Sequence, residues 1–335
     1  TATAFPKDGI RACFDMGLAH GRTLGCSATF VTHGHMDHIA ALSHHAGLRS
    51  MARLPPAAVF APAAIAEQLS AAMGALAAVS GSAPAGTARP MQCGDVVWLH
   101  GKRMPSLQAG SGLRADLEVA EGETEGEEEA SAGAGGGAVA AAATAAAAGA
   151  GGETDAPAAD AADADAAGRG GEWHSLLRGR AALEGQRGLC VMPVPTVHRV
   201  PSQGYLIARA GKQLRADLQQ AGPEAIKAAS AAGETVTQPT LEALAAVTGD
   251  TIAAGMLAQP AFRCAPVLVT ECTLTGPDLG PDVAVERGHT HIAELAGAWA
   301  RRSLTGRVLV LTHLSTREGA AEHCALVRTA LEGAL

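Results

Sequence analysis

A chain of 335 residues, 47% of them hydrophobic, carries enough apolar material for a substantial core, as one large domain or two ordinary ones. Seven cysteines, odd in number, scattered and without a C-x-x-C pair, exclude a disulfide framework and read as free thiols of a reducing compartment. The net charge of −8 speaks against a polyanionic partner, but fourteen Asp/Glu and two Arg between Gln108 and Glu172 hold −12 of it, so the rest of the chain stands at +4.

In chain order, "TATAF" and "IRACFDMG" flank the turn signal "PKDG" and predict a hairpin. The chain starts inside that first strand, so a further element is expected upstream. Strands are predicted at "SATFVTH" and "AAVFAP", a helix at "PAAIAEQLSAAMGALAAV", and a strand at "DVVWLH". An acidic, Ala/Gly-rich segment at 108–172 follows, with almost no large apolar residue; it cannot bury enough surface to offset its ordering entropy and reads as a disordered insertion. Its Ala-rich middle has helix propensity, which the flanking glycines oppose. Neither that stretch nor any other predicts a membrane span, because alanine and glycine drive insertion poorly, and no signal peptide is read. Strands resume at "LCVMPVPTVH", "GYLIAR", "LAAVTGD", "PVLVTECTL" and "RVLVLTHL", with amphipathic helices at "HTHIAELAGAWARR" and "EGAAEHCALVRTALEGAL". The expectation is an α/β fold, sheets covered by helices on their outer faces, in two parts (1–107 and 173–335) around the insertion.

Four of these strands end in a metal-ligand residue type: His33, His198, Asp250 and His313. Strand ends hold side chains rigidly at a sheet edge, where a cleft can open. His35, Asp37 and His38 crowd beside the first, in "THGHMDH". Seven such ligands exceed the four that one zinc takes and suit two cations sharing a carboxylate. A single one of these histidines would be read as hydrogen-bonded structure; the run plus three further strand ends reverses that reading.

"THGHMDH" resembles the signature of the metallo-β-lactamase fold, which implies a four-layer αββα sandwich with its metals at the edge of the two sheets. Within that superfamily "ACFDMG", "FVTHGHMDHIAAL", "VHRVPSQGYLI", "VTGDT", "VLVTECTL", "ERGHTHIAEL" and "VLTHLSTRE" resemble the short, plant-type form of ribonuclease Z, an endonuclease that removes 3′ trailers from precursor tRNA. The resemblance implies two Zn²⁺ per subunit, with His33, His35 and His198 on one, Asp37, His38 and His313 on the other, and Asp250 bridging; manganese or iron would fit the same donors. Asp37 is also implied to orient the attacking hydroxide, and Glu271 to hold His289 protonated as general acid for the departing 3′ oxygen. Precursor tRNA and a second copy of the chain, as a homodimer, are the implied partners. The compartment is left open among cytoplasm, nucleus and organelle.

Around these residues, Asp15 reads either as a buttress for a ligand histidine or as a turn residue. Ser202 and Gln203 read as phosphate contacts or as loop, and Arg317 as a phosphate clamp or as surface. "GPEAIK" resembles the family's substrate loop and makes Gly222, Pro223 and Lys227 substrate-binding candidates, although the segment before Asp250 is too short for the protruding arm many members carry. The acidic insertion cannot replace a basic arm against a polyanion. His291 is read as structural, His44 and His45 as polar surface, and His20, His100, His174 and His323 without special role. The rival reading keeps the metals and hydrolyses a small thioester, lactone or phosphodiester; a third is a metal-bound scaffold without activity.

Overall fold

Successive side chains of a strand face opposite ways, so a strand apolar on both faces must be covered twice. In the computed structural model, which describes residues 2–5, 10–81, 86–99, 105–108 and 187–334, that requirement produces two sheets with three apolar layers. The first sheet has five strands, β1 (Ala2–Phe5), β2 (Ile10–Phe14), β3 (Ala28–Phe30), β4 (Ala58–Pro62) and β5 (Ala88–Met91), in that spatial order. The second has seven: β6 (Val96–Leu99), β7 (Ser106–Gln108), β8 (Gly188–Pro195), β9 (Gln203–Leu214), β10 (Thr237–Val247), β11 (Val267–Glu271) and β12 (Val308–Thr312), in the order β12-β11-β10-β9-β8-β6-β7. Helices α1 (Met36–Ile39), α2 (Leu42–Met51) and α3 (Ala66–Ser80) belong to the first half; α4 (Ala216–Ala231), α5 (Ala253–Leu257), α6 (Pro260–Arg263), α7 (Pro281–Arg287), α8 (Ile292–Ala300) and α9 (Ala320–Glu332) to the second.

The alternation can be followed residue by residue. Phe14, Phe30 and Phe60 of the first sheet meet Val97, Val191, Tyr205 and Ile207 of the second in the layer between the sheets. Their neighbours Cys13, Val31 and Val59 face the other way, onto Leu42, Leu69 and Met73 of α2 and α3. On the far side of the second sheet, Trp98, Cys190, Met192 and Leu206 pack on Phe262, Ile292 and Leu295 from the later helices. The result is the αββα sandwich expected from the sequence. Aromatics make up only 3% of the chain, and they are spent in the middle layer: Phe30 stacks on Phe14 at 5.3 Å and on Phe60 at 5.1 Å, with the Tyr205 ring edge-on at 5.3 Å. Each such ring buried contributes about 1.5–3 kcal/mol.

The chain on both sides of the insertion, Thr1–Leu117 and Gly170–Leu335, forms one unit. The insertion itself lies outside the described residues, apart from Gln108 at the end of β7. So do the "PKDG" turn, His100 and His174. Among the described residues no helix is long and apolar enough to cross a membrane.

Besides helices α1, α2, α5, α6 and α7, three features were not predicted. Strand β5 reads "ARPM" and carries a proline, and β7 is three residues long, so neither shows a period of two. The third is the segment from Arg209 to Thr240, held too short for an arm. Beyond Ala210, among the described residues, β9 pairs with β10 alone, and this two-stranded ribbon ends in α4. Helix α4 is broken at Gly222 (φ 82°, ψ 175°), the residue before Pro223, where only glycine takes a left-handed backbone without strain.

Candidate active site

The site lies where the first sheet's β2 and β3 and the second sheet's β8, β10, β11 and β12 run out. Past the end of β3, His33 forms an isolated bridge with Ser202, and Gln203 N–H donates to Thr32 O at 3.0 Å, tying the edges of the two sheets together. Asp15, just past β2, has a left-handed backbone (φ 61°). Its carboxylate accepts from Thr32 N–H at 2.7 Å, Thr32 Oγ1 at 2.9 Å and His38 Nδ1 at 2.9 Å. That geometry leaves His38 Nε2 facing inward. His313, just past β12, is the other site residue at positive φ (56°), and the conformation costs about 1–3 kcal/mol.

The seven side chains that the sequence singled out as ligands converge. One nitrogen or oxygen from each of His33, His35, His198 and Asp250 lies within 4.8 Å of the others, and the same holds for Asp37, His38 and His313. Asp250 sits between the groups: Oδ2 is 3.6 Å from His33 Nε2 and 3.4 Å from His313 Nε2, and Oδ1 is 3.4 Å from His38 Nε2. His313 Nε2 is 2.9 Å from Asp37 Oδ2. Two of these atoms, His38 Nε2 and Asp250 Oδ1, are buried and make no hydrogen bond. Buried polar atoms without partners are rare and costly. A cation between them satisfies both, and the mixed nitrogen–oxygen donor set is the one zinc takes, so the residues fit a metal. The outer nitrogens are held as such sites require: His38 by Asp15, His198 Nδ1 by Gly288 O at 2.7 Å, His313 Nδ1 by Thr273 Oγ1 at 2.9 Å.

Crowding five imidazoles also sets their protonation. Burial first, then the neighbouring His38, pushes His33 down to about 3, and burial likewise lowers His198, so both present a free lone pair at neutral pH. Burial opposes a proton on His38, but the carboxylate of Asp15, which accepts from Nδ1, and the nearby charge of Asp250 override it and lift the group to about 10. Asp250 is held well below the usual carboxylate range by the surrounding histidines, against its own burial.

Beside the cluster is a second unit. Glu271 at the end of β11 is 1% exposed, and its Oε1 lies 3.1 Å from His289 Nδ1. Backbone N–H groups of Thr251, Thr273 and Thr290 donate to the same carboxylate, at 3.2, 2.9 and 3.0 Å, which fixes its position. Burial would strip the proton from His289, but Glu271 more than offsets this and raises its pKa. A protonated imidazole 3.8 Å from Asp250 Oδ2 can donate to a leaving group at the cluster.

The remaining sequence candidates separate. Ser202 Oγ bonds Thr196 Oγ1 at 2.8 Å beside His33. Gln203 turns inward: it is buried and its Nε2 donates to the Tyr205 hydroxyl at 2.8 Å, which in turn donates to Val31 O. Arg317 lines the cavity at His289. Gly222, Pro223 and Lys227 are not brought to the cluster; β9 leads away from it for 12 residues, on the order of 35–40 Å, before α4 begins. Lys227 pairs with Glu224 at 3.0 Å.

His291 caps α8, as a structural residue does. His45, read as surface, is instead buried, with Nε2 donating to Thr23 O at 3.0 Å. His323 is buried too and holds Thr275 and Ser315 O at 2.7 Å each, bracing the loop after His313. Thr273 was missed: its hydroxyl touches Glu271, His289 and His313 at 2.7, 3.2 and 2.9 Å. Its place two residues after Glu271, in "ECTL", was the available signal.

A four-layer αββα sandwich with a His/Asp cluster at the edge of its sheets is the metallo-β-lactamase fold. The resemblance to ribonuclease Z within it is carried by curated relatives: the chain is 33% identical over 134 residues to chloroplastic tRNase Z TRZ2 of Arabidopsis thaliana, covering 38% of this chain and 36% of that one. It is 33% identical over 67 residues to tRNase Z TRZ1 of the same plant, 20% and 23% of the two chains. The matched part thus spans about a third and a quarter of these relatives. No family model matches. Among solved structures, the metallo-β-lactamase fold protein YhfI of Bacillus subtilis superposes with TM-score 0.45 at 12% identity, covering 97% of this chain and 82% of that one. The short form of human tRNase Z gives 0.44 at 14%, covering 94% and 85%.

Proposed function

We propose that this chain is a zinc-dependent endoribonuclease that removes the 3′ trailer of precursor tRNA and leaves a 3′-hydroxyl, acting as a homodimer in an organelle or another compartment that holds precursor tRNA. The observation that carries the reading is the Glu271–His289 pair at 3.1 Å beside a seven-ligand cluster. The sequence match to plant tRNase Z, one of them chloroplastic, supports the substrate and the organelle.

In this reading His33, His35 and His198 would hold one zinc and Asp37, His38 and His313 a second, with Asp250 available to both. Two such cations, when bound, supply positive charge against the phosphodiester oxygens and acidify a water. The chain's residues do the rest. Asp37, the exposed carboxylate of the cluster, accepts a proton from and orients the attacking water. His289 gives its Nε2 proton to the departing 3′ oxygen, and Glu271 stabilises the imidazolium at Nδ1 until that transfer. Asp15, Gly288 O and Thr273 hold the ligand imidazoles in the tautomer that leaves one nitrogen free for the metal.

The test is cleavage of a 3′-extended precursor tRNA by zinc-loaded protein, beside Asp37→Ala and His289→Ala. A single cut at the discriminator base, lost in Asp37→Ala and slowed about 10²- to 10⁴-fold in His289→Ala, is expected. Turnover of a small bis-phosphate ester with no cut in tRNA would overturn the tRNA assignment and leave the small-substrate hydrolase.

A further inference from the structure

A cavity of about 600 Å³ opens beside the ligand cluster, with His35 and His289 in its wall. Three arginines also line it: Arg199, Arg287 and Arg317. Each is tied by sequence to a site histidine. Arg199 follows His198, Arg287 stands two before His289, and Arg317 four after His313. Gly288 locks the first two together, since a Cβ there would lie 2.8 Å from His198 Nδ1 and 3.0 Å from Arg199 Cγ.

The charge of this wall is one-sided. No Asp or Glu lines the cavity, and among the described residues none of the three guanidinium groups has a carboxylate within ion-pair distance. By contrast, Arg215 pairs with Asp217 at 2.7 Å and Glu234 at 3.3 Å, and Arg209 with Glu242 at 3.6 Å. Three unpaired guanidinium groups converging on one cavity form a site for an anion, and their planar forks match phosphate oxygens.

The position of the cavity says which phosphate. His289 is in its wall, whereas Asp37 and His38 are not. Resting on the proposed reaction, in which His289 protonates the departing 3′ oxygen, the cavity continues the strand on the side that keeps the new 3′-hydroxyl. We infer that Arg199 and Arg287, with Arg317, grip the phosphate immediately 5′ of the scissile one, on the mature side of the tRNA, and so set where the cut falls.

The experiment measures binding, so that it does not depend on turnover. Precursor tRNA is assembled with a non-hydrolysable phosphonate at the scissile linkage, and with a neutral methylphosphonate at the linkage either 5′ or 3′ of it. Dissociation constants are measured by fluorescence anisotropy at fixed salt for zinc-loaded wild type, Arg199→Gln and Arg287→Gln. Losing a charged hydrogen bond to phosphate weakens binding roughly tenfold or more. Neutralising the 5′ linkage is expected to weaken wild type by about that factor and to add little in either variant. Neutralising the 3′ linkage is expected to act equally in all three proteins. Full additivity at the 5′ linkage, coupling at the 3′ linkage instead, or no measurable binding of the fully charged probe overturns the inference. Cleavage of unmodified precursor by the wild type is scored separately: no cut with 5′ coupling present would sink the endonuclease reading alone, and a normal cut without coupling would sink only the arginine grip.

Discussion

His38 Nε2 and Asp250 Oδ1 face each other across 3.4 Å, both buried and neither hydrogen-bonded. His38 comes from α1 after the third strand of one sheet and Asp250 from the loop after β10 of the other; with His38 Nδ1 bonded to Asp15, the folded chain sets two lone pairs against each other, and a cation between them satisfies both. Asp250→Asn keeps the shape and removes the charge. Zinc content, measured by elemental analysis after dialysis, is expected to fall by at least one ion per chain, with far-ultraviolet circular dichroism unchanged. Full retention of metal would refute the central place given to Asp250.

If His289 donates a proton to the leaving oxygen, its value depends on how poor the leaving group is. His289→Ala is expected to lose about 10- to 100-fold more kcat on precursor tRNA, whose leaving group is an alkoxide, than on bis(p-nitrophenyl) phosphate, whose leaving group departs unaided. Equal losses on the two substrates would mean that His289 only shapes the site.

Gly288 takes a left-handed backbone (φ 80°) and its carbonyl holds His198. An added Cβ costs about 1–2 kcal/mol from the backbone alone and meets the imidazole at 2.8 Å. Gly288→Ala is therefore expected to lower the melting temperature and the zinc affinity together. A variant with lower melting temperature and normal zinc affinity would show that the carbonyl does not position His198.

The Tyr205 hydroxyl, fully buried, links Gln203 to the carbonyl of Val31, two residues before His33. Tyr205→Phe leaves both groups without a partner. Urea unfolding should show a loss of about 1–3 kcal/mol. An unchanged midpoint and slope would mean that water replaces the hydroxyl at no cost.

Burial, helped by Arg49, holds His45 below the ordinary histidine value against its hydrogen bond to Thr23 O. The unfolded chain takes up a proton near pH 6.5 and the folded chain does so only lower. Between those two values the unfolded state binds more protons, so stability falls as the pH drops below about 6.5. His45→Gln removes this contribution and keeps an N–H for Thr23 O. Its unfolding free energy should fall less steeply than wild type from pH 7 to 5; parallel curves would show that His45 does not titrate on unfolding.

The sequence by itself determined the layers and singled out the seven side chains that the fold brings together. Metal-ligand residues at strand ends are legible because the strands' apolar runs end there, and the β-to-α spacing of apolar residues dictates which faces need covering. What only the tertiary structure decided is what those residues meet. Thr273 joins Glu271, His289 and His313 through one hydroxyl, His45 is buried rather than exposed, His323 is buried and braces a loop, and Gln203 turns into the core rather than toward a substrate. Most of these depend on contacts between residues far apart in the chain, such as Thr275 with His323 or the Tyr205 hydroxyl with the carbonyl of Val31. The arginine-lined cavity has the same origin. Arg199 and Arg317 lie in two separate loops and Arg287 ends α7, and only the convergence of β8, α7 and β12 on one edge brings the three to a single cavity. Local periodicity carries the information for elements and faces; side-chain partners at a sheet edge are set by long-range packing, which no short window of sequence contains.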